Sequence, residues 1–327
     1  MPQQPSRWRS NRQKLFRNVH GLFLTRRRQS IASLLIAFMV LFILWTAGFF
    51  SWSPFTSSKV VIILATNQGG GVKRWKKPNE WATERSSIEN KRRYARRWNY
   101  ELAVKDCSEK KKYSHEFRES WQRIDVIKQT MRQYPKAEWF WWLDSNTYIM
   151  EPQISLDEHI FNHLDSVYRT VEYFNVLNFT VDIPYVDYEQ PINMLITQDC
   201  GGFNLGSFLI RRSDWTDRSS DFWWDPAMYE QKHMEWEHAE QDASEYSYSQ
   251  HAWIRSSVGF SPSRKINSFP PGACSQYAGN PLFFYDQKDR DFVVNMAGCD
   301  FGRDCYLEME AYKELDQLSH KKKFWLF

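Results

Sequence analysis

Two apolar runs end in residues that could hold a polar ligand. VVIILAT at 60–66 stops at Thr66 and Asn67, and EWFWWLD at 138–144 stops at Asp144, Ser145 and Asn146. In an open parallel sheet, ligands bind beyond the carboxyl ends of the strands. A carboxylate placed there, after the four aromatics Trp139 to Trp142, is expected to do more than sit in solvent, with a helix or turn cap as the competing role. The triglycine at 69–71 matches neither the Walker pattern nor Gly-x-Gly-x-x-Gly, so a phosphate cradle and a plain turn both stand. Lys91, Arg92, Arg93, Arg96 and Arg97 read as a solvated helix face, with a phosphate- or acid-binding surface as the other reading. His233 and His238 lie five residues apart and share no helical face, which argues against a metal-binding pair.

These residues need a scaffold, and the hydrophobic pattern supplies one. The β-branched run at 59–66 reads as a fully buried strand that stops at a glycine loop. Ile88, Ala95 and Trp98 then recur at helical spacing, and residues 100–104 read as a short second strand. Trp121, Ile124, Ile127 and Met131 mark another helix, which Tyr134-Pro135 ends before the strand at 138–144. This progression predicts an α/β fold whose N-terminal half is an open, doubly wound, mostly parallel sheet. The C-terminal half reads as irregular aromatic-rich segments with a helix around 236–253, ending in the basic run Lys321 to Lys323.

The charge balance places the chain. It has 327 residues, with 43 Lys and Arg against 39 Asp and Glu. Eight of those bases and no acid fall in the first thirty residues, so the rest carries 35 bases against 39 acids. A folded part with that balance disfavours nucleic acid as a partner. Residues 31–50 run twenty positions without a charge, long enough for one helix of about 30 Å. Arg26 to Arg28 before them orient the span with its basic tail cytosolic. The expected order is tail 1–30, transmembrane signal-anchor 31–50, short stem 51–58 and lumenal domain 59–327. Five cysteines in an oxidising lumen leave at least one unpaired within the chain, and Cys299 and Cys305, bracketing a short turn, are the expected pair. Asn178-Phe179-Thr180 is the one N-glycosylation triplet.

Several segments in order resemble one family, the glycosyltransferase family 34 of fungal Golgi α-1,6-mannosyltransferase subunits, plant xyloglucan xylosyltransferases and galactomannan galactosyltransferases. They are ILATNQGGG, Asn90-Lys91 with Tyr94-Ala95, WFWWLDSNTYIMEP, Asn204 to Arg211, Glu240 to Ala243, and VVNMAGCDFGRDC. The stretch Lys265 to Gly272 and the Gly-Cys ending are most similar to the subunits of the fungal mannan polymerase II complex. The resemblance implies a GT-A fold, GDP-mannose as donor and retention of the α configuration. It also implies an Asp-x-Asp whose acids contact ribose or metal, and a later histidine that completes a Mn²⁺ site. Here those positions are Asp144, Asn146 and Asn295, so two of the three carry a neutral amide. An amide oxygen can ligate a hard cation but adds no charge, so Mn²⁺, the implied cofactor, would be held less tightly here.

The leaving nucleoside diphosphate still needs positive charge opposite it, and Arg303 and Lys265 are the candidate substitutes. Asp199 and the segment Asn204 to Ser207, with Gly206, correspond to the family's donor-pocket loop. Gln241 matches its glutamine near the anomeric carbon. Asp242 beside it is a second candidate, although neighbours on a helix point apart. Trp223, Trp224, Trp236 and Trp253 could stack on sugar faces or belong to the core. The expected activity is transfer of mannose, through an α-1,6 linkage, from GDP-mannose to an α-mannan acceptor at the Golgi membrane, alongside other Golgi mannosyltransferase subunits. The alternative is a degenerate transferase fold acting as a structural or acceptor-binding partner.

Overall fold

Every residue of the first strand, β1 (Val60–Thr66), is buried, and its two faces enter two different cores. Val61, Ile63 and Ala65 point to one side, Val60 and Ile62 to the other, the period-2 alternation of a strand covered on both faces. In the computed structural model the described residues are 59–66, 76–107, 121–170, 185–232, 234–235, 240–277 and 280–324, together with Met39. Apart from Met39, the described residues fall within one compact unit, Ser57–Phe327, the second of two in the chain.

The second unit follows the predicted progression through helix α1 (Pro78–Trp98), β2 (Glu101–Asp106), helix α2 (Gln122–Gln133) and β3 (Trp139–Leu143). After β4 (Thr147–Ile149) come β5 (Met194–Asp199) and β6 (Gly202–Arg211), followed by helices α3 (Asp214–Trp223) and α4 (Glu240–Gln250). The rest comprises β7 (Val258–Phe260), β8 (Pro271–Cys274), β9 (Val293–Asn295) and helix α5 (Cys305–Phe324), with short helices between. The main sheet has the order β2-β1-β3-β6-β5-β7, and β4 pairs with β9 in a separate two-stranded sheet.

The sheet is mixed. β1 runs parallel to β2 and β3, and β5 parallel to β7, but β6 is antiparallel to both β3 and β5. Five strands therefore point one way and β6 alone points back. The irregular C-terminal half expected from sequence is in this respect corrected, because three of its segments complete the main sheet. Asn204 to Ser207, expected in a loop, lie on β6 itself. Phe208 and Ile210 of that strand enter the core with Trp142 and α2, and Leu209 enters the one with Trp141 and α1.

Helix α1 corrects the reading of the basic run. Arg92, Arg93, Arg96 and Arg97 are exposed, but Lys91 is fully buried beside Asn90, Tyr94 and Ala95. Asn90 bonds both the N–H and the carbonyl of Ile149, at 2.8 and 2.9 Å, and Lys91 donates to the Thr147 carbonyl and to Ser87 Oγ. The polar residues of α1 thus hold β4 in place. Helix α5 adds Asp316, which accepts from Tyr148 at 3.0 Å and pairs with Arg93.

The pair Cys299–Cys305 forms as expected, and a second disulfide joins Cys200 to Cys274 across 74 residues; Cys107 is buried and in neither. No helix among the described residues is long and apolar enough to cross a membrane. The predicted span at 31–50 lies outside them apart from Met39, as do the stem up to Ser58, Asn67 with the triglycine, Asn178 to Thr180, His233, Trp236 and His238.

If closing a loop in the unfolded chain is what a disulfide contributes, the two bonds differ in value. Replacing Cys200 and Cys274 by Ser is expected to cost about 4 kcal/mol, and replacing Cys299 and Cys305 about 2 kcal/mol. Denaturant titration of the two double variants checks the order.

Candidate functional site

Because β1, β3, β5 and β7 share one direction, Thr66, Asp144 and Asp199 all fall at the same edge of the sheet. The reversed β6 starts at that edge, so Gly202 to Ser207 join them. Leu143 pairs with Ser207, Thr197 with Asn204 and Asp199 with Gly202. One residue beyond β3, the Asp144 N–H donates to the Gly206 carbonyl at 2.8 Å.

Asp144 has 26% of its side chain exposed. Its Oδ1 accepts from Trp142 Nε1 at 2.7 Å and from Arg123 Nη2 at 3.1 Å. Arg123 comes from α2 and is nearly buried. Its Nη1 lies 2.9 Å from Glu240 Oε1 at the start of α4, and its guanidinium sits 5.0 Å from the centre of the Trp142 ring. The Asp144 carbonyl accepts from the N–H and hydroxyl of Thr147, closing the turn that carries half-buried Ser145 and Asn146. The Asn146 carbonyl accepts from the Met296 N–H at 2.9 Å, which ties this turn to the end of β9.

A ladder of side-chain amides crosses the same edge. The Gly206 N–H donates to Asn204 Oδ1 at 2.9 Å, which fixes the direction of every later bond. Asn204 Nδ2 donates to Asp199 Oδ2 at 2.6 Å. Asn267 Nδ2 donates to Asn204 Oδ1 and Thr197 Oγ1, and Asn295 Nδ2 donates to Asn267 Oδ1 at 2.9 Å. Asn267 was missed from sequence, because nothing in a lone Asn before a Ser marks it as buried beside another strand. Gly206 is needed for contact: a Cβ there would lie 2.2 Å from Asn295 Nδ2. Gly202, at φ +115°, is needed for backbone shape, and a Cβ there would meet the Glu245 carboxylate at 2.6 Å.

Gln241 joins the cluster through α4, its Oε1 accepting from the Leu205 N–H at 2.9 Å, so its Nε2 is the end left to donate elsewhere. Asp242 is half-buried on the next position of the helix. Asp199 Oδ1 also accepts from the Gly201 N–H at 2.7 Å. Thr66 is buried, and its hydroxyl donates to the Lys105 carbonyl at 3.3 Å.

The two candidate cations lie on other elements, and the cleft of Arg303 reaches the same turn, because Cys274 in its wall is bonded to Cys200, the residue after Asp199. Lys265 lies on the short helix Ser263–Ile266, where burial holds its ammonium below the usual lysine range and its carbonyl bonds His159. Among the described residues its side chain has no hydrogen bond or ion pair with the Asp144 or Asn204 clusters. Arg303 lines a cleft of about 260 Å³ with Gly272 to Ser275, Ala297, Gly298 and the exposed Phe301. It is already engaged, with Nε 2.9 Å from Glu308 and Nη2 donating to the Ala297 carbonyl. Of the tryptophans, Trp223 is core and donates to the Glu240 carbonyl, Trp224 packs 5.2 Å from Trp121, and Trp253 is 42% exposed.

Lys91 is the charged residue that spacing did not reveal. Burial pushes its ammonium down from the ordinary 10.5 to about 7, and the charge of Asp144 opposes that shift. With Ser87, Asn90, Tyr94 and Ala95 it makes one buried stripe at helical spacing, whose polar composition hides it from an apolar-periodicity reading.

A carboxylate, a glutamine, backbone groups and directed amides at the carboxyl edge of a mixed α/β sheet make a site for a polar, hydroxyl-rich ligand. The chain belongs to a glycosyltransferase family: residues 56–306 match the galactosyl transferase GMA12/MNN10 family. It is 58% identical over 270 residues to the probable alpha-1,6-mannosyltransferase MNN10 of Saccharomyces cerevisiae, covering 82% of this chain and 69% of that one. It is 52% identical over 273 residues to an uncharacterized alpha-1,2-galactosyltransferase, C637.06, of Schizosaccharomyces pombe, covering 82% and 77%. Among solved structures, a glycosyltransferase involved in the glycosylation of the major capsid of PBCV-1 aligns at TM-score 0.48 and 14% identity, over 78% of this chain and 99% of that one.

Two predictions come from this geometry. Gly206→Ala should displace Asn295 and lower transfer by more than about tenfold, while circular dichroism stays native. Between pH 7 and 10.5 the unfolded chain keeps the Lys91 proton that the folded chain gives up, so wild-type stability should rise with pH there. Lys91→Met should remove that slope, of at most about 1.4 kcal/mol per pH unit, in urea titrations across the range.

Proposed function

We propose that the chain is a retaining α-1,6-mannosyltransferase of GT-A type that moves mannose from GDP-mannose to an α-mannan acceptor. The observation that carries this reading is the meeting of Asp144, Asn204, Gly206 and Gln241 at one sheet edge, in a chain 58% identical to a relative named for that activity. Asp144, a quarter exposed, and the turn through Ser145 and Asn146 face the nucleotide end of the donor. The amide ladder and Gly206 bring backbone close to the sugar.

The division of labour follows from which atoms are already engaged. Asp199 has one oxygen on Gly201 and the other on Asn204, so it acts as a positioning residue that sets the ladder. Gln241, with Oε1 fixed by Leu205, offers Nε2 to a polar atom of the sugar or to charge developing near it. Retention fits a front-side displacement. The acceptor hydroxyl oxygen bonds to the anomeric carbon as its bond to the diphosphate breaks, and the hydroxyl proton passes to the departing phosphate oxygen.

The setting belongs to the same proposal: a single-pass type II Golgi membrane protein whose lumenal domain works with other mannosyltransferase subunits. The uncharged run at 31–50 behind Arg26 to Arg28 supports the anchor, and two disulfides suit an oxidising lumen. The scaffold alternative is not favoured, since Asp144, Gln241 and the ladder converge at the edge where a donor would bind.

The test is a donor panel. The purified full chain, alone and with its sister subunits, is given GDP-mannose or UDP-galactose with an α-mannan oligosaccharide. The expected product is an α-1,6-mannosyl extension whose rate falls at least about a hundredfold in Gln241→Ala. Galactose transfer in place of mannose would replace the donor in this reading, and an unaltered rate in Gln241→Ala would remove that residue from the site.

A further inference from the structure

The three positions that the family pattern would give to a divalent cation hold one carboxylate and two amides, and that carboxylate is already committed. Asp144 Oδ1 takes both the Trp142 N–H and the Arg123 guanidinium. Arg123 lies between Asp144 and Glu240 with little solvent access, and the Lys91 ammonium is buried behind the same turn, on Ser87 and the Thr147 carbonyl. Two basic side chains therefore stand beside two acids before any ion arrives. Cation affinity at an oxygen site depends on the number of charged ligands, and a carboxylate matched by a guanidinium in a low-dielectric setting offers little net charge.

The amides do not make up the difference. The Gly206 N–H can only donate, so Asn204 must present Oδ1 to it, and Asn267 and Asn295 are oriented in turn. Asn295 spends its Nδ2 on the ladder and has one neutral oxygen to give. Asn146 adds at most another neutral oxygen, from a turn whose backbone is tied to Met296. Among the described residues the one cluster of three His, Cys, Asp or Glu groups close enough to share an ion is Cys299, Asp300 and Cys305, whose two sulfurs form a disulfide. This donor set does not fit Mn²⁺.

We propose that the site at Asp144 holds no divalent cation, because Arg123 already neutralises the one carboxylate that an ion would need when a nucleoside diphosphate binds. The inference rests on the donor reading above for its ligand, but not for its first test. The full chain in detergent is titrated with Mn²⁺ alone, and the free ion is followed by its electron paramagnetic resonance signal. No saturable uptake at one ion per chain is expected; saturable uptake that Asp144→Asn abolishes would overturn the proposal. GDP is then titrated calorimetrically in EDTA and in Mn²⁺, and its Kd is expected to agree within about threefold, below the roughly 5- to 150-fold typical of coupled ligands. Loss of GDP binding in EDTA alone would also overturn the proposal. If GDP bound in neither buffer, the donor reading would fall while the resonance titration still decided the cation. Arg123→Gln, which takes the guanidinium away from Asp144, is expected to gain Mn²⁺ uptake, with the wild-type titration as an independent arm should that variant fold poorly. A folded Arg123→Gln that binds GDP as the wild type does and takes up no Mn²⁺ would remove Arg123 from this role.

Discussion

The antiparallel run of β6 between β3 and β5 is the constraint on which the site depends. Parallel strands deliver only their carboxyl ends to a shared edge, so with β6 in the common direction Asn204 and Gly206 would lie at the opposite edge from Asp144. Reversal puts the first half of β6 beside Asp144, and the bond from the Asp144 N–H to the Gly206 carbonyl continues the ladder one residue past β3. Core packing guards that register. A slip of one residue would turn Phe208 and Ile210 out of one core and Leu209 out of the other. Each such side chain contributes about 1.5–3 kcal/mol by burial, so the placement of small polar residues at the edge is enforced by large apolar ones behind it.

How much of this could be read beforehand depended on the range of the interaction. β1, α1, β2, α2 and β3 were legible because a continuous β-branched run, helical spacing and the Tyr134-Pro135 break are local signals. Asp144 and Thr66 followed from strand ends alone. β5 and β6 were not legible as strands of the main sheet, because MLITQD and GFNLGSFLIR mix polar residues and glycine into their apolar runs. Those interruptions are the residues that form the edge, so the features that blur the strand pattern are the ones that build the site. The family resemblance picked out Asn204, Gly206 and Gln241, but not the bond that links Gln241 to Leu205 or the role of Asn267 between two strands. The Cys200–Cys274 bond was hidden for the same reason, since only the fold brings the β5–β6 turn to β8.

Buried charge explains why a run of bases on α1 misled. Arg92 and Arg96 reach water, whereas Lys91, one position before Arg92, turns into the interior beneath β4. Burying an ammonium is costly unless it is hydrogen-bonded and faces an acid. Ser87 and the Thr147 carbonyl provide the bonds, and the Asp144 carboxylate provides the charge. Local sequence gives little sign of such compensation, because only Ser87 lies on the same helix, while Thr147 and Asp144 belong to a different strand and turn.

The same compensation joins the two halves of the site. Arg123 touches Asp144 from β3 and Glu240 from α4, and the residue after Glu240 is Gln241, whose oxygen holds the β6 backbone at Leu205. A movement of α4 would alter the spacing of Arg123 and Glu240 and, through Gln241, the backbone beside Gly206. Nearly buried ion pairs tolerate such changes poorly, since each separated charge would be left in a poor solvent. The arrangement therefore favours one setting of β3, β6 and α4 together. In that setting the Asp144 carboxylate, the Gln241 amide and the ladder from Asp199 to Asn295 are held before a ligand arrives, so little of the binding energy has to be spent on ordering them.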